Sequence, residues 1–89
     1  MLNIFYTRQF QKDYKLLQKR HYELDKLKGI IRQLVEEIPL SQKHRDHPLK
    51  GIYRSYRECH INPDWLLIYK IDGRDIFFAR TGTHSDLFQ

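Results

Sequence analysis

The sequence predicts an α+β domain in which two helices precede a twisted antiparallel sheet. Three observations lead there. Apolar residues recur at helical spacing between Phe10 and Ile38. The period changes to two from Tyr53 onward. Asp72-Gly73 separates two of the resulting apolar runs and is a strong two-residue hairpin signal. The 89 residues suffice for one domain, spanning 1–89. A chain of this length buries only about 60–65% of its unfolded surface, so its core is modest.

The elements follow in order. "LNIFY" is rich in β-formers and reads as an edge or pairing strand. Thr7 then offers a hydroxyl N-cap. Phe10, Tyr14 and Leu17, with Leu16 beside them, mark one face of a first helix. A second helix is expected from about Tyr22 to Ile38, with Leu24, Leu27, Ile31, Leu34, Val35 and Ile38 as its apolar stripe. Pro39 should end it, because the residue before proline is pushed out of the α region. Helices joined this closely should form an antiparallel hairpin. "SQKHRDHPLKG" is polar and reads as a loop with a short strand near its end. "YRSYRECH", "WLLIYKI" and "RDIFFAR" are three strand candidates. The second is apolar on both faces until Lys70, which places it at the centre of the sheet.

Composition narrows the function. The net charge is +5 and the isoelectric point about 9.5, which favours a polyanionic partner. Cys59 is the only cysteine, so neither an internal disulfide nor a cysteine-based structural zinc site can form. A reducing compartment is the simplest setting. The N-terminal residues lack an apolar leader pattern, and no apolar run approaches the roughly 20 residues that span a bilayer. The expectation is a cytoplasmic protein with no membrane association.

Counting outward from the expected turns gives a pairing register. A two-residue Asp72-Gly73 turn puts Ile71 opposite Arg74 and Trp65 opposite Arg80. An even-length loop within "INPD" puts His60 opposite Trp65. Opposed residues share a face, so His60, Trp65 and Arg80 should form one row, with Asp64 at its rim and His84 close by. A bulge would break this count.

Three segments, "DHPLKG", "YRECHINPDWLLIYKI" and "RTGTHSDLF", occur in an order and spacing that resemble the YafQ-like branch of the RelE/ParE superfamily of bacterial toxins. The resemblance runs from the helical hairpin to the C-terminus. It implies two N-terminal helices packed on a twisted antiparallel sheet. It implies a ribosome-dependent endoribonuclease that cuts translating mRNA, contacts ribosomal RNA and is neutralised by an antitoxin, acidic and of DNA-binding type. The family's functional positions fall on His47, His60, Asp64, Trp65, Arg80, His84 and Phe88, all unaltered here.

The chemistry of those residue types fits RNA cleavage without a metal or other cofactor. A base takes the 2′-OH proton, an acid protonates the leaving 5′-oxygen, and a cation stabilises the crowded phosphate. Histidine suits both proton roles and arginine suits the phosphate. The expected assignment makes Arg80 the phosphate clamp and His84 the general acid. His47, His60 and Asp64 form the base side, with the proton acceptor among them left open. Trp65 and Phe88 would shape the pocket or stack on a base, and Lys50 would help bind substrate.

Two other readings use the same residues. Three histidines and an aspartate could hold Zn²⁺, but Arg80 opposes a second cation and no H-E-x-x-H-like pair is present. A basic RNA-binding module without catalysis would grip phosphates through Lys12, Lys15, Lys19, Lys26, Lys28 and Arg32. Cys59 should face away from His60 and serve packing. His21 and His44 need no catalytic role, and Tyr53, Tyr56 and Tyr69 read as sheet packing. No motif carries a codon preference.

Overall fold

Thr7 separates the first strand from the first helix by satisfying groups on both sides of itself. Its Oγ1 accepts from the Phe10 amide at 3.0 Å and donates to the Ala79 carbonyl at 2.8 Å. In the computed structural model, which describes residues 1–88, this cap joins β1 (Asn3–Tyr6) to α1 (Arg8–Lys19). Then come α2 (Leu24–Val35), a 3₁₀ turn (Gln42–His44), β2 (His47–Pro48) and a second 3₁₀ turn (Gly51–Tyr53). The chain finishes with β3 (Arg57–Asn62), β4 (Trp65–Asp72), β5 (Asp75–Gly82) and the short α3 (His84–Phe88). No helix among the described residues is long and apolar enough to cross a membrane.

Both long helices end in the same way. His21 (φ 61°) and Glu37 (φ 60°) are left-handed. Each is followed by an amide that reaches back five residues, Tyr22 to Leu17 at 3.1 Å and Ile38 to Gln33 at 2.8 Å. This is the Schellman arrangement, here without the usual glycine. It stops α2 at Val35, three residues before the end expected from Pro39. Ile38 is therefore exposed, and Ile30 takes its place in the core.

The sheet order is β1-β5-β4-β3-β2, with β4 central as its two-sided apolar pattern requires. β1 pairs with β5 in parallel, and the other pairings are antiparallel. The helices cover one face. Phe10, Leu17, Leu27, Ile31 and Leu34 pack there against Cys59, Trp65, Leu67, Tyr69, Ile76 and Phe78. The first strand candidate begins at Arg57 rather than Tyr53, because Gly51–Tyr53 coils into a 3₁₀ turn.

The register differs from the expected one at both hairpins. Asp72 pairs with Asp75 and Ile71 with Ile76, so the turn residues are Gly73 and Arg74. Gly73 takes the first turn position with φ 62°, as glycine-first hairpin turns require. A bulge between Ile68 and Tyr69 then adds a residue on β5, and Arg80 pairs with Ile68 rather than Trp65. On the other side, Asn62 pairs with Trp65, a bulge follows, and His60 pairs with Leu66. The expected row of His60, Trp65 and Arg80 is therefore not formed.

Candidate active site

The registers build two different rows. His47 on β2 opposes Glu58 on β3, which opposes Ile68 on β4, which opposes Arg80 on β5. One step along, His60 opposes Leu66, which opposes Gly82. Side chains alternate along a strand, so these rows lie on the face opposite the helix-covered core residues Cys59, Leu67 and Tyr69. Leu66 and Ile68 are buried and floor the site.

His47, His60 and His84 come together above that floor. Their ring centroids are 6.4 Å apart for His47 and His60 and 5.9 Å for His60 and His84. His47 Nδ1 donates to the Arg45 carbonyl at 2.5 Å, which turns Nε2 toward Glu58 Oε2 at 3.2 Å. Glu58 is only 7% exposed, and the His47 imidazole is its polar neighbour. The loop bearing His47 is held by Asp46, which accepts from Arg57 Nε at 3.1 Å and the Tyr69 hydroxyl at 2.8 Å. Burial and this carboxylate together push the Tyr69 phenol up, so it remains a donor. Among the described residues, no hydrogen bond occupies the His60 ring.

His84 opens α3 and is placed by an interlocked helix start. Thr83 and Asp86 form a capping box: the Asp86 carboxylate accepts from the Thr83 amide at 3.0 Å, and the Thr83 hydroxyl accepts from the Asp86 amide at 3.1 Å. Arg20 at the end of α1 clasps Asp86 with two bonds of 2.8 and 3.2 Å. The Arg20 bond, with the Thr83 amide, lowers the Asp86 carboxyl to about 2. Gly82 makes this docking fit, since a Cβ there would lie 3.0 Å from Asp86 Oδ2.

Asp64 is bonded to His84. Its Oδ1 accepts from His84 Nδ1 at 2.6 Å and from the His84 amide at 3.1 Å. The imidazole bond, then the amide, holds the Asp64 carboxyl below its usual value. The ring is thereby oriented with Nε2 unpaired among the described residues. A histidine held at Nδ1 by a carboxylate can store a proton at Nε2 and release it to a leaving oxygen.

Arg80 is tied from behind. Its Nε and Nη2 donate to Asp13 at 2.8 and 3.2 Å, and Asp13 also accepts from the Thr81 amide at 3.2 Å. The bond to Asp13 raises the Arg80 pKa further. Two of the guanidinium donors are thus committed, and the others remain for an anion. Trp65 is 2% exposed, with its Nε1 donating to Thr81 Oγ1 at 3.0 Å and its ring edge-on to Tyr22. Trp65 thus lies in the core, a placement that suits shaping the pocket better than stacking on a base. Phe88 is half exposed on α3, and Lys50 is exposed at the start of the second 3₁₀ turn. Cys59 is fully buried on the helix-side face, and burial pushes its thiol up to about 12.

Glu58, Asp13 and Asp86 were not singled out from the sequence, although two left signals. Asp13 is a charge on the apolar face of α1, between Phe10 and Leu17. Glu58 stands two residues before His60 and so shares its face. Among the described residues, no three His, Cys, Asp or Glu side chains are arranged to hold a metal ion.

The chain as a whole is similar to known proteins. Residues 2–89 match the family model described as "Bacterial toxin of type II toxin-antitoxin system, YafQ". The mRNA interferase toxin YafQ of Escherichia coli K12 is 46% identical over 87 residues, covering 97% of this chain and 95% of the relative. In the crystal structure of the E. coli DinJ–YafQ complex, a chain 44% identical superposes with a TM-score of 0.94, and each chain is covered completely. A metal-bound toxin from Helicobacter pylori is 43% identical, with a TM-score of 0.92 over 99% of this chain and 100% of that one.

Proposed function

This chain belongs to the YafQ family of bacterial type II toxin-antitoxin toxins, and from that we propose that it is an endoribonuclease that cuts mRNA on the translating ribosome. The observation that carries the chemistry is His84, fixed by Asp64 at 2.6 Å and lying beside His60. His60, whose ring has no hydrogen-bond partner among the described residues, takes the 2′-OH proton. The 2′-oxygen attacks the adjacent phosphorus, and Arg80 neutralises charge on the phosphate with the donors that Asp13 does not hold. His84 Nε2 gives a proton to the departing 5′-oxygen. The products are a 2′,3′-cyclic phosphate and a 5′-hydroxyl end. His47, held beside Glu58, completes the cluster next to His60.

Every step uses side chains of this chain alone. The H. pylori relative is described as metal-bound, so activity is best tested under chelation. Cleavage that persists in excess chelator supports the metal-free route, and loss restored by one metal ion overturns it. The physiological partner, by analogy with DinJ, is an antitoxin that binds and silences the toxin. The net charge of +5 suits an acidic partner.

The decisive experiment maps cut sites in a translation extract with a defined mRNA. Wild type should cut, and His84→Ala should lose about 10²–10⁴-fold in rate. Asp64→Asn should fall between the two, because it leaves His84 present but less firmly held. Uncut mRNA on actively translating ribosomes with folded wild type removes the reading. Undiminished translation arrest by His84→Ala would instead favour a binding module without catalysis.

A further inference from the structure

We propose that the groove between α2 and the β3 edge binds the sugar–phosphate backbone of single-stranded RNA, as the continuation of the substrate strand beyond the cleaved bond. The groove holds about 930 Å³, and Lys26, Arg32, Lys43 and Arg45 line it, with Asp25 as the one acidic residue in the lining. Such a balance concentrates positive potential in a concave surface, which favours a polyanion over a flat distribution of the same charges. His60 lines this groove and also stands in the centre of the histidine cluster. Arg45 lines it too, while its carbonyl holds His47 Nδ1. The groove therefore meets the histidine cluster at His60, and Arg45 links its wall to His47.

Gly29 is an independent observation. It lies in the interior of α2, where glycine weakens a helix relative to alanine. Packing does not require it, since a Cβ at this position would meet nothing within 4 Å. Gly29 is part of the groove wall, one turn from Lys26 and from Arg32. Its missing side chain lets a backbone approach the helix between two cations. From Asp25 to Gln33 this wall runs about 12 Å along the helix axis. The inference rests on the ribonuclease reading and extends that site along the substrate strand.

The test measures binding separately from cutting. The probes are a trinucleotide and a decanucleotide of RNA carrying a 2′-deoxy substitution at the scissile position, so neither can be cleaved. Gly29→Leu fills the groove without changing charge and should raise helix stability, so loss of fold does not confound it. Gly29→Leu and the double variant Lys26→Gln/Arg32→Gln should bind the decanucleotide about tenfold more weakly than wild type, and the trinucleotide equally well. The double variant should also flatten the log–log salt dependence by about 1.4, the value for two phosphate contacts to a single strand. Wild-type affinity of both variants for the decanucleotide overturns the proposal. So does unchanged decanucleotide binding with lost pelleting on vacant ribosomes, which would assign the groove to ribosomal RNA. Tighter binding of a polyglutamate peptide, weakened by the same variants, would assign it to an acidic protein and also overturn it. Failure of wild type to cut mRNA in extract is a separate result that strikes the ribonuclease reading itself.

Discussion

Single residues in this protein are separated into reactive and inert by which face of the sheet they occupy. Cys59 and His60 are adjacent, yet one is sealed in the core and the other lies in the open cluster. With its thiol pushed up to about 12, Cys59 should resist iodoacetamide at pH 8 in native protein and react fully in urea, as read by mass spectrometry. Rapid native labelling would contradict its placement. The expectation that Cys59 packs was legible because alternation on a strand needs only parity. Trp65 shows the limit of the same reasoning. Its ring and position before an apolar run suit either a stacking platform or a core residue, and only the Asn62 pairing and its bulge send it inward.

At the scale of elements, termini carry much of the design. His21 and Glu37 sit in left-handed conformations that cost a β-carbon-bearing residue about 1–2 kcal/mol. His21→Gly should therefore stabilise the fold by roughly 0.5–1 kcal/mol, seen as a higher urea midpoint, while leaving cleavage unchanged. The α3 clasp should be sensitive to acid. Asp86 falls from 3.8 to about 2 in the folded state, so the stability from its charge is present above pH 3.8 and is lost as pH drops through about 2. The gap in urea midpoint between wild type and Asp86→Asn should be constant at neutral pH and close between about pH 4 and 2. A gap that persists at pH 2 would mean that Arg20 does not act through the charged carboxylate. The capping box lies within the four residues "THSD", but the arginine that clasps it comes from 66 residues earlier.

For the molecule as a whole, the Asp13–Arg80 pair joins the helical layer to the sheet strand that leads into His84. Asp13 is nearly buried, so Asp13→Ala leaves a partly buried guanidinium short of its partner and the Thr81 amide unpaired. A loss of about 2–4 kcal/mol is expected in equilibrium unfolding. Cleavage by the folded fraction should also fall, because Arg80 loses the bidentate hold that aims it. Full activity per folded molecule would show that Asp13 serves stability alone.

The sequence by itself determined the α+β class, the order of the two long helices and the strands, the central position of β4, the Thr7 cap and the set of histidines. These depend on periodicity, capping chemistry and residue type, all local along the chain. The tertiary structure alone decided which side chains meet. Two bulges and a turn displaced by one residue replaced the expected His60–Trp65–Arg80 row with His47–Glu58–Ile68–Arg80, and brought Asp64 to His84. The physical reason is the two-residue period of a strand: one inserted residue transfers every later side chain to the other face. Whether a bulge forms at Ala79 depends on partners as distant as the Thr7 hydroxyl that satisfies its carbonyl.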